Sequence, residues 1–153
     1  YSFLGAIIFA VAGAVMLIFW QKGISQLYTA LTWWDLLWIP LSYFAALFIH
    51  ETYYYWLHRW MHQPKVIRHF HHIHHNSLYT SSFTSFSFHP IEAGLQAIFL
   101  PALVLLLPMH FFVLIALLIT MSITAVINHA GVEVYPTWAL KSPFLRWMVG
   151  ATH

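Results

Sequence analysis

At 153 residues, the chain is 61% apolar and only 7% charged, with a mean hydropathy of +0.72. Soluble domains hold roughly 45–50% and about 25%. A water-soluble protein of this length has no interior large enough to hide so much apolar surface, so the composition predicts an integral membrane protein. A net charge of +2 without a basic stripe excludes a nucleic-acid partner, and the lack of cysteine excludes disulfides, zinc fingers, iron–sulfur clusters and thiol catalysis.

Residues 1–20 carry no charge and predict a first span. The sequence starts without methionine and already hydrophobic, and it stops at Thr152-His153, so both ends are expected to be cut. Residues 33–55 predict a second span, with Asp35 near its start and a kink at Pro40. Residues 91–107 form a third, interrupted by Pro101, and residues 109–127 a fourth after a turn at Pro108. A span needs roughly 17–25 residues, which makes the third marginal, tilted or broken. The expected fold is all-α: one integral membrane domain over 1–153, about four transmembrane helices, and histidine-rich cap segments at 56–90 and 128–153. Two apolar hairpins dipping into one leaflet are the competing architecture.

Orientation follows from the basic residues. Arg59, Lys65 and Arg68 lie between the second and third spans, Lys141 and Arg146 follow the fourth, and Lys22 alone lies between the first and second. Positive loops face the cytoplasm, which puts both histidine-bearing segments on that one aqueous side. His110, in the turn at the opposite end, is expected at the far interface. Residues 78–88 are rich in Ser, Thr and Phe and read either as part of a lipid entrance or as an interfacial cap that only packs.

Twelve histidines against four carboxylates is the most informative imbalance in the chain. At about 100° per residue, His50, Tyr54, His58 and His62 form one slowly turning stripe on a helix leaving the second span. His58 and His62, at i and i+4, can bind one metal from adjacent turns. Tyr55, Arg59 and Glu51 lie one position round. His71, His74 and His75 have i, i+3, i+4 spacing and share a face if helical, while His72 points away. Metal ligation by these five histidines is favoured over a pH-sensing or merely solvated patch. Imidazole-rich, thiolate-free coordination suits iron, copper or zinc. Glu51, Glu92, Tyr55 and Asn128 are candidates for hydrogen-bonding the far ring nitrogens. Attack on an unactivated C–H bond calls for a metal–oxygen oxidant, and an apolar substrate buried near the cap would keep water away from it. No nucleophile elbow, phosphate loop or carboxylate pair supports a hydrolase, ATPase or glycosidase.

The strings HETYYYWLHRWMH and FHHIHHN resemble the fatty acid hydroxylase superfamily, the sterol desaturase-like membrane oxygenases. Its pattern falls here on Glu51, Tyr54-Tyr55, His58-Arg59 and His62, then His71, His74 and His75. It continues at His89-Pro90-Ile91-Glu92 and Asn128-His129-Ala130-Gly131, covering about residues 51–153. The resemblance implies four spans and a cytoplasmic cap holding two iron ions, with zinc an alternative occupant in purified protein. It also implies O2 activation, electrons from a reductase or small carrier, and hydroxylation or desaturation of a sterol or fatty acyl lipid. The Ser-Phe stretch and the HPIE string are closest to the sterol C5-desaturase branch. His129 resembles a further ligand, and His153 stands at or beside another HxxHH cluster of the family. His50 and His89 are additional candidates, the latter alternatively capping the third span. The readings from other classes are a haem cytochrome and a metal transporter, both metal-binding membrane proteins without oxygenase turnover.

Overall fold

The computed structural model describes residues 2–71, 88–128 and 141–142. Helix α1 (Ser2–Gln21) is 20 residues of uncharged apolar sequence with only Gly5 buried. At 1.5 Å per residue it is about 30 Å long, the thickness of a bilayer's hydrocarbon core. Among the described residues it is the one helix both long and apolar enough by composition to cross a membrane. It ends where Gly23 takes a left-handed backbone (φ 66°), so that Gly23 N–H reaches the Trp20 carbonyl and Ile24 N–H the Phe19 carbonyl. These two bonds make a Schellman end, which needs a residue free of a Cβ at that position.

A short strand β1 (Leu27–Tyr28) precedes α2 (Asp35–Met61), the longest helix at 27 residues or about 40 Å. It continues through Pro40 and runs past the expected end of the second span, which places His58 and His62 on the same rod as that expected span. The chain then makes one turn, α3 (Pro64–Val66), and a π-helical turn (Ile67–His71).

The third apolar stretch is two pieces, α4 (Pro90–Ala97) and α5 (Phe99–Leu106), meeting at Ile98. Pro101 has no N–H to give the Ala97 carbonyl and its ring crowds that oxygen, which is the physical reason for the break. The i to i−4 bonds from Ile98 and Ala102 on either side survive at 3.1 Å. Strand β2 (Met109–His110) takes up the first residues of the expected fourth span, and α6 (Phe111–Asn128) supplies the rest.

Helices α2, α5 and α6 meet through Ala46, Leu103, Val104, Val113 and Leu117, with Met109 at one end. Two tyrosines fasten this packing. Tyr43 donates to Thr120 Oγ1 at 2.8 Å, linking α2 to α6, and Tyr53 donates to the Leu95 carbonyl at 2.6 Å, linking α2 to α4. The outer surfaces remain apolar: Phe3 on α1, Leu37 and Phe44 on α2, and Phe112 and Ile119 on α6 are all more than half exposed. An exterior of this kind suits lipid and would aggregate in water. The architecture is the all-α fold of a membrane protein.

One end of the bundle is closed by a polar clasp. β1 and β2 pair in parallel, Leu27 beside Met109 and Tyr28 beside His110. Gln26 N–H donates to the Val104 carbonyl at 2.7 Å, and Trp38 Nε1 to the Pro108 carbonyl at 2.9 Å. The Tyr28 hydroxyl donates to Asp35, whose other oxygen takes the Thr32 N–H and hydroxyl at 2.6 and 2.7 Å. Burial, then the hydrogen bond to Asp35 and its negative charge, push the Tyr28 phenol up to about 12. His110, at this far end as expected, is almost fully buried within the protein. Its Nδ1 accepts the Phe112 N–H at 3.1 Å, so the proton sits on Nε2, which donates to the Thr29 carbonyl at 3.1 Å. Of the motif histidines, the described His58, His62 and His71 lie at the other end.

Candidate metal centre

On α2 the stripe expected from helical spacing is present as a column of rings. Ring centres are 6.2 Å apart from His50 to Tyr54, 5.6 Å from Tyr54 to His58, and 4.5 Å from His58 to His62. The Nε2 atoms of His58 and His62 stand 2.9 Å apart. The helix stops at His62, Gln63 is extended, and Pro64 starts α3 with its ring at a position that needs no N–H. The π-helical turn that follows carries His71 back to α2. Its i to i+5 geometry is uncommon and occurs mostly as single turns at functional sites.

His71 is fully buried, and its Nε2 lies 3.3 Å from His62 Nε2. The ligand atoms of His58, His62 and His71 all fall within 4.8 Å of one another. Behind His71 stands Glu92, from the first turn of α4, with Oε1 3.0 Å from His71 Nδ1. Gln96 Nε2 reaches the same oxygen at 3.4 Å, while Oε2 is buried and has no hydrogen-bond partner among the described residues. A carboxylate can only accept, so His71 donates from Nδ1 and directs the lone pair of Nε2 toward the other two rings. Burial, then the neighbouring His71, hold the His62 imidazole below its ordinary range, with Glu92 opposing. The neutral ring is the form that binds a metal.

The spacing can be tested against coordination chemistry. Nitrogens about 2.1 Å from one ion stand roughly 3.0 Å apart at right angles and about 3.4 Å apart in a tetrahedron. Two of the three separations, 2.9 and 3.3 Å, match these values, and the third pair, His58 and His71, lies within 4.8 Å. The donor set is all imidazole, with a carboxylate positioned to orient one ring, and it fits iron as well as zinc.

The other sequence candidates are placed as follows. His50 donates from Nδ1 to Glu51 at 3.0 Å and meets the Phe99 ring edge-on at 5.1 Å, well down α2 from the three histidines. Glu51 is therefore turned to His50. Tyr55 is exposed, its hydroxyl accepting from Arg59 Nη1 at 2.9 Å. His89 caps α4, its Nδ1 taking the Ile91 N–H at 3.3 Å. Asn128 closes α6. His74, His75, His129 and His153, and the Ser-Phe stretch up to residue 87, lie outside the described residues. Two apolar crevices, about 280 Å³ between α2 and α6 and about 470 Å³ between α1 and α4–α5, are lined by none of the three histidines.

Two features of the site escaped the sequence. His71 joins the pair on α2, although spacing groups it with His74 and His75. Tyr53, which carries no motif role, ties α2 to α4 and so sets Glu92 beside His71. Glu92 was among the candidate orienting residues in the sequence, but nothing there paired it with His71.

The family model for fatty acid hydroxylase matches residues 43–153, a stretch that contains the three histidines and Glu92. The chain belongs to the fatty acid hydroxylase family. Among relatives, the Delta(7)-sterol 5(6)-desaturase of Saccharomyces cerevisiae is 40% identical over 70 residues, covering 46% of this chain and 19% of that protein. The Delta(7)-sterol 5(6)-desaturase of Leptosphaeria maculans is 31% identical over 130 residues, 82% of this chain and 34% of the relative. Human lathosterol oxidase is 30% identical over 93 residues, 61% and 31%. The chain thus spans about a third or less of the length of each of these three fatty acid hydroxylase relatives. No solved structure matches it. The match starts within α2, so α1, Tyr28 and Asp35 lie ahead of the family region.

Proposed function

We propose that this chain is the metal-binding membrane domain of an O2-dependent lipid oxidoreductase, a hydroxylase or desaturase of a sterol or fatty acyl chain. The observation that carries the reading is the convergence of His58, His62 and His71, with Glu92 behind His71. These three residues would hold one iron. His74, His75, His129 and His153 would complete a two-iron centre in the pattern of the family. When bound, iron supplies the oxidising power for a C–H bond that acid–base chemistry cannot break.

The chain's own residues have simpler tasks. Glu92 accepts the His71 proton at Nδ1 and fixes the ring's tautomer and direction. The column from His50 to His62 makes α2 a rigid ruler that sets the height of the site against the bilayer. The lengths of α1, α2, α4–α5 and α6, with the basic residues at the histidine end, support four spans with that end in the cytoplasm. Residues 1–153 act as one membrane domain. Electrons come from a reductase or small carrier, since none of the described side chains is a redox group able to supply them.

A haem reading is weaker. It would call for histidines on facing helices at mid-membrane depth, whereas the three described here cluster at one end. Transport is disfavoured because the cluster sits at a helix end and not at mid-membrane.

The test is turnover by iron-loaded protein in bilayers, with a reductase and isotope-labelled O2, across sterols and acyl lipids. The expected product gains one labelled oxygen or loses two hydrogens, and His58→Ala abolishes it. Product of equal yield from His58→Ala would end the proposal.

A further inference from the structure

The histidine end is cationic outside and neutralised within. Arg59, Lys65 and Arg68 are exposed there, while the two carboxylates described at that end, Glu51 and Glu92, are turned to His50 and His71. Arg59 is the most organised of the three. Its Nη1 donates to the Tyr55 hydroxyl at 2.9 Å, and its guanidinium carbon lies 5.7 Å from the centre of the Trp56 ring. One of its five N–H donors is thereby used, and no carboxylate reaches the others among the described residues. A guanidinium already held on an aromatic face loses little freedom on binding, and its planar fork matches a phosphate in two-point contact.

The surroundings identify the source of that phosphate. Tyr55, Trp56 and Trp60 are 42%, 60% and 42% exposed beside Arg59, and Trp33 and Trp34 are exposed at the far end of α2. Trp34 to Trp56 is about 33 Å along the helix and Trp34 to Trp60 about 39 Å. The hydrocarbon core is about 30 Å thick and roughly 40–45 Å with headgroups. With the two tryptophan groups at the two interfaces, Arg59 stands in the headgroup layer. A patch that is half aromatic at that height fits a lipid better than a soluble acidic protein.

We propose that Arg59, held by Tyr55 and Trp56 with Trp60 alongside, binds the phosphate of an anionic phospholipid in the leaflet facing the histidine end. Lys65 and Arg68 add attraction of about fivefold each only for an extended anionic membrane surface, which neutral detergent removes. This site does not rest on the metal reading: the hydrogen bond and ring contact of Arg59 go to Tyr55 and Trp56.

The experiment is quenching of tryptophan emission, in neutral detergent, by nitroxide-labelled phosphatidylglycerol against labelled phosphatidylcholine. Phosphatidylglycerol should quench at concentrations lower by about fivefold or more. Arg59→Gln should remove most of that preference, Arg59→Lys, which keeps the charge but not the fork, should lose at least half of it, and Lys22→Gln at the opposite end should leave it intact. Equal quenching by the two lipids, a preference that survives Arg59→Gln, or one lost equally in Lys22→Gln would overturn the proposal. So would displacement of the labelled lipid by millimolar inorganic phosphate, which marks a free-anion site. Displacement by polyglutamate together with no lipid preference would assign the patch to a protein partner instead.

Discussion

The two ends of this helix bundle use polar side chains in opposite ways. At the clasp, Tyr28, Thr32, Asp35 and His110 give their hydrogen bonds to one another and to nearby backbone, which joins β1, β2, α2 and α6. At the histidine end, the imidazoles of His58, His62 and His71 bring their ligand atoms within 4.8 Å of one another, a grouping that could hold a metal ion. Polar groups that saturate each other add stability and order; polar groups that converge on a common point are arranged for something else. On the proposed reading the difference separates residues that hold the fold from residues that would hold a metal ion, and it can be broken or sharpened by experiment.

The largest effect is expected at the histidine end. His58→Ala should lower bound iron by more than about tenfold, since losing a ligand costs more than losing a group that orients one, while far-UV circular dichroism stays unchanged. Equal iron in wild type and variant would erase the distinction between the two ends. Glu92→Gln comes next. It keeps the shape, weakens the hold on His71 Nδ1, and should reduce metal affinity roughly 10–100-fold. Retained affinity would make Glu92 a packing residue only.

The clasp should respond in the opposite currency. His110→Ala removes two hydrogen bonds to backbone, worth about 1 kcal/mol each, and should lower the melting temperature by roughly 4–8 °C in detergent. Iron content should not change. A fall in iron with no change in melting would reverse the roles of the two ends.

The smallest effect is a titration. The Tyr28 phenol is pushed up to about 12, so its neutral form is favoured in the folded protein. Its contribution to stability is complete below the ordinary phenol value near 10 and is lost as pH rises through about 12. The ultraviolet difference between wild type and Tyr28→Phe should therefore show one phenol ionising late. A phenol that titrates near 10 would mean the bond to Asp35 does not persist in solution.

The apolar helices were legible because length and the absence of charge are written locally. The uncharged run predicts α1, and Pro101 predicts the broken third helix. The stacking of His50, Tyr54, His58 and His62 follows from the helical repeat alone. The partner of that stripe was not legible. Whether His71 joins His58 and His62 or stays with its own cluster depends on how Gln63-Pro64 and the π-helical turn reverse the chain, and no periodicity encodes that. The Glu92 contact depends in turn on Tyr53 and the Leu95 carbonyl, a pairing across 42 residues. The burial of His110 was not legible either, because a histidine after a Pro-Met turn looks the same whether it faces headgroups or the Thr29 carbonyl. Long-range pairings are decided by packing, which a local pattern does not carry.

The central claim is that His58, His62 and His71 hold one metal ion. It is tested most directly by iron-edge X-ray absorption with metal quantification on the detergent-purified chain, wild type beside His71→Ala. The account predicts at least about one iron per chain in wild type, with nitrogen and oxygen neighbours at roughly 2.0–2.2 Å, and loss of most of that iron in the variant. Wild-type iron below about a tenth of an ion per chain, or an identical spectrum and content in His71→Ala, would contradict it.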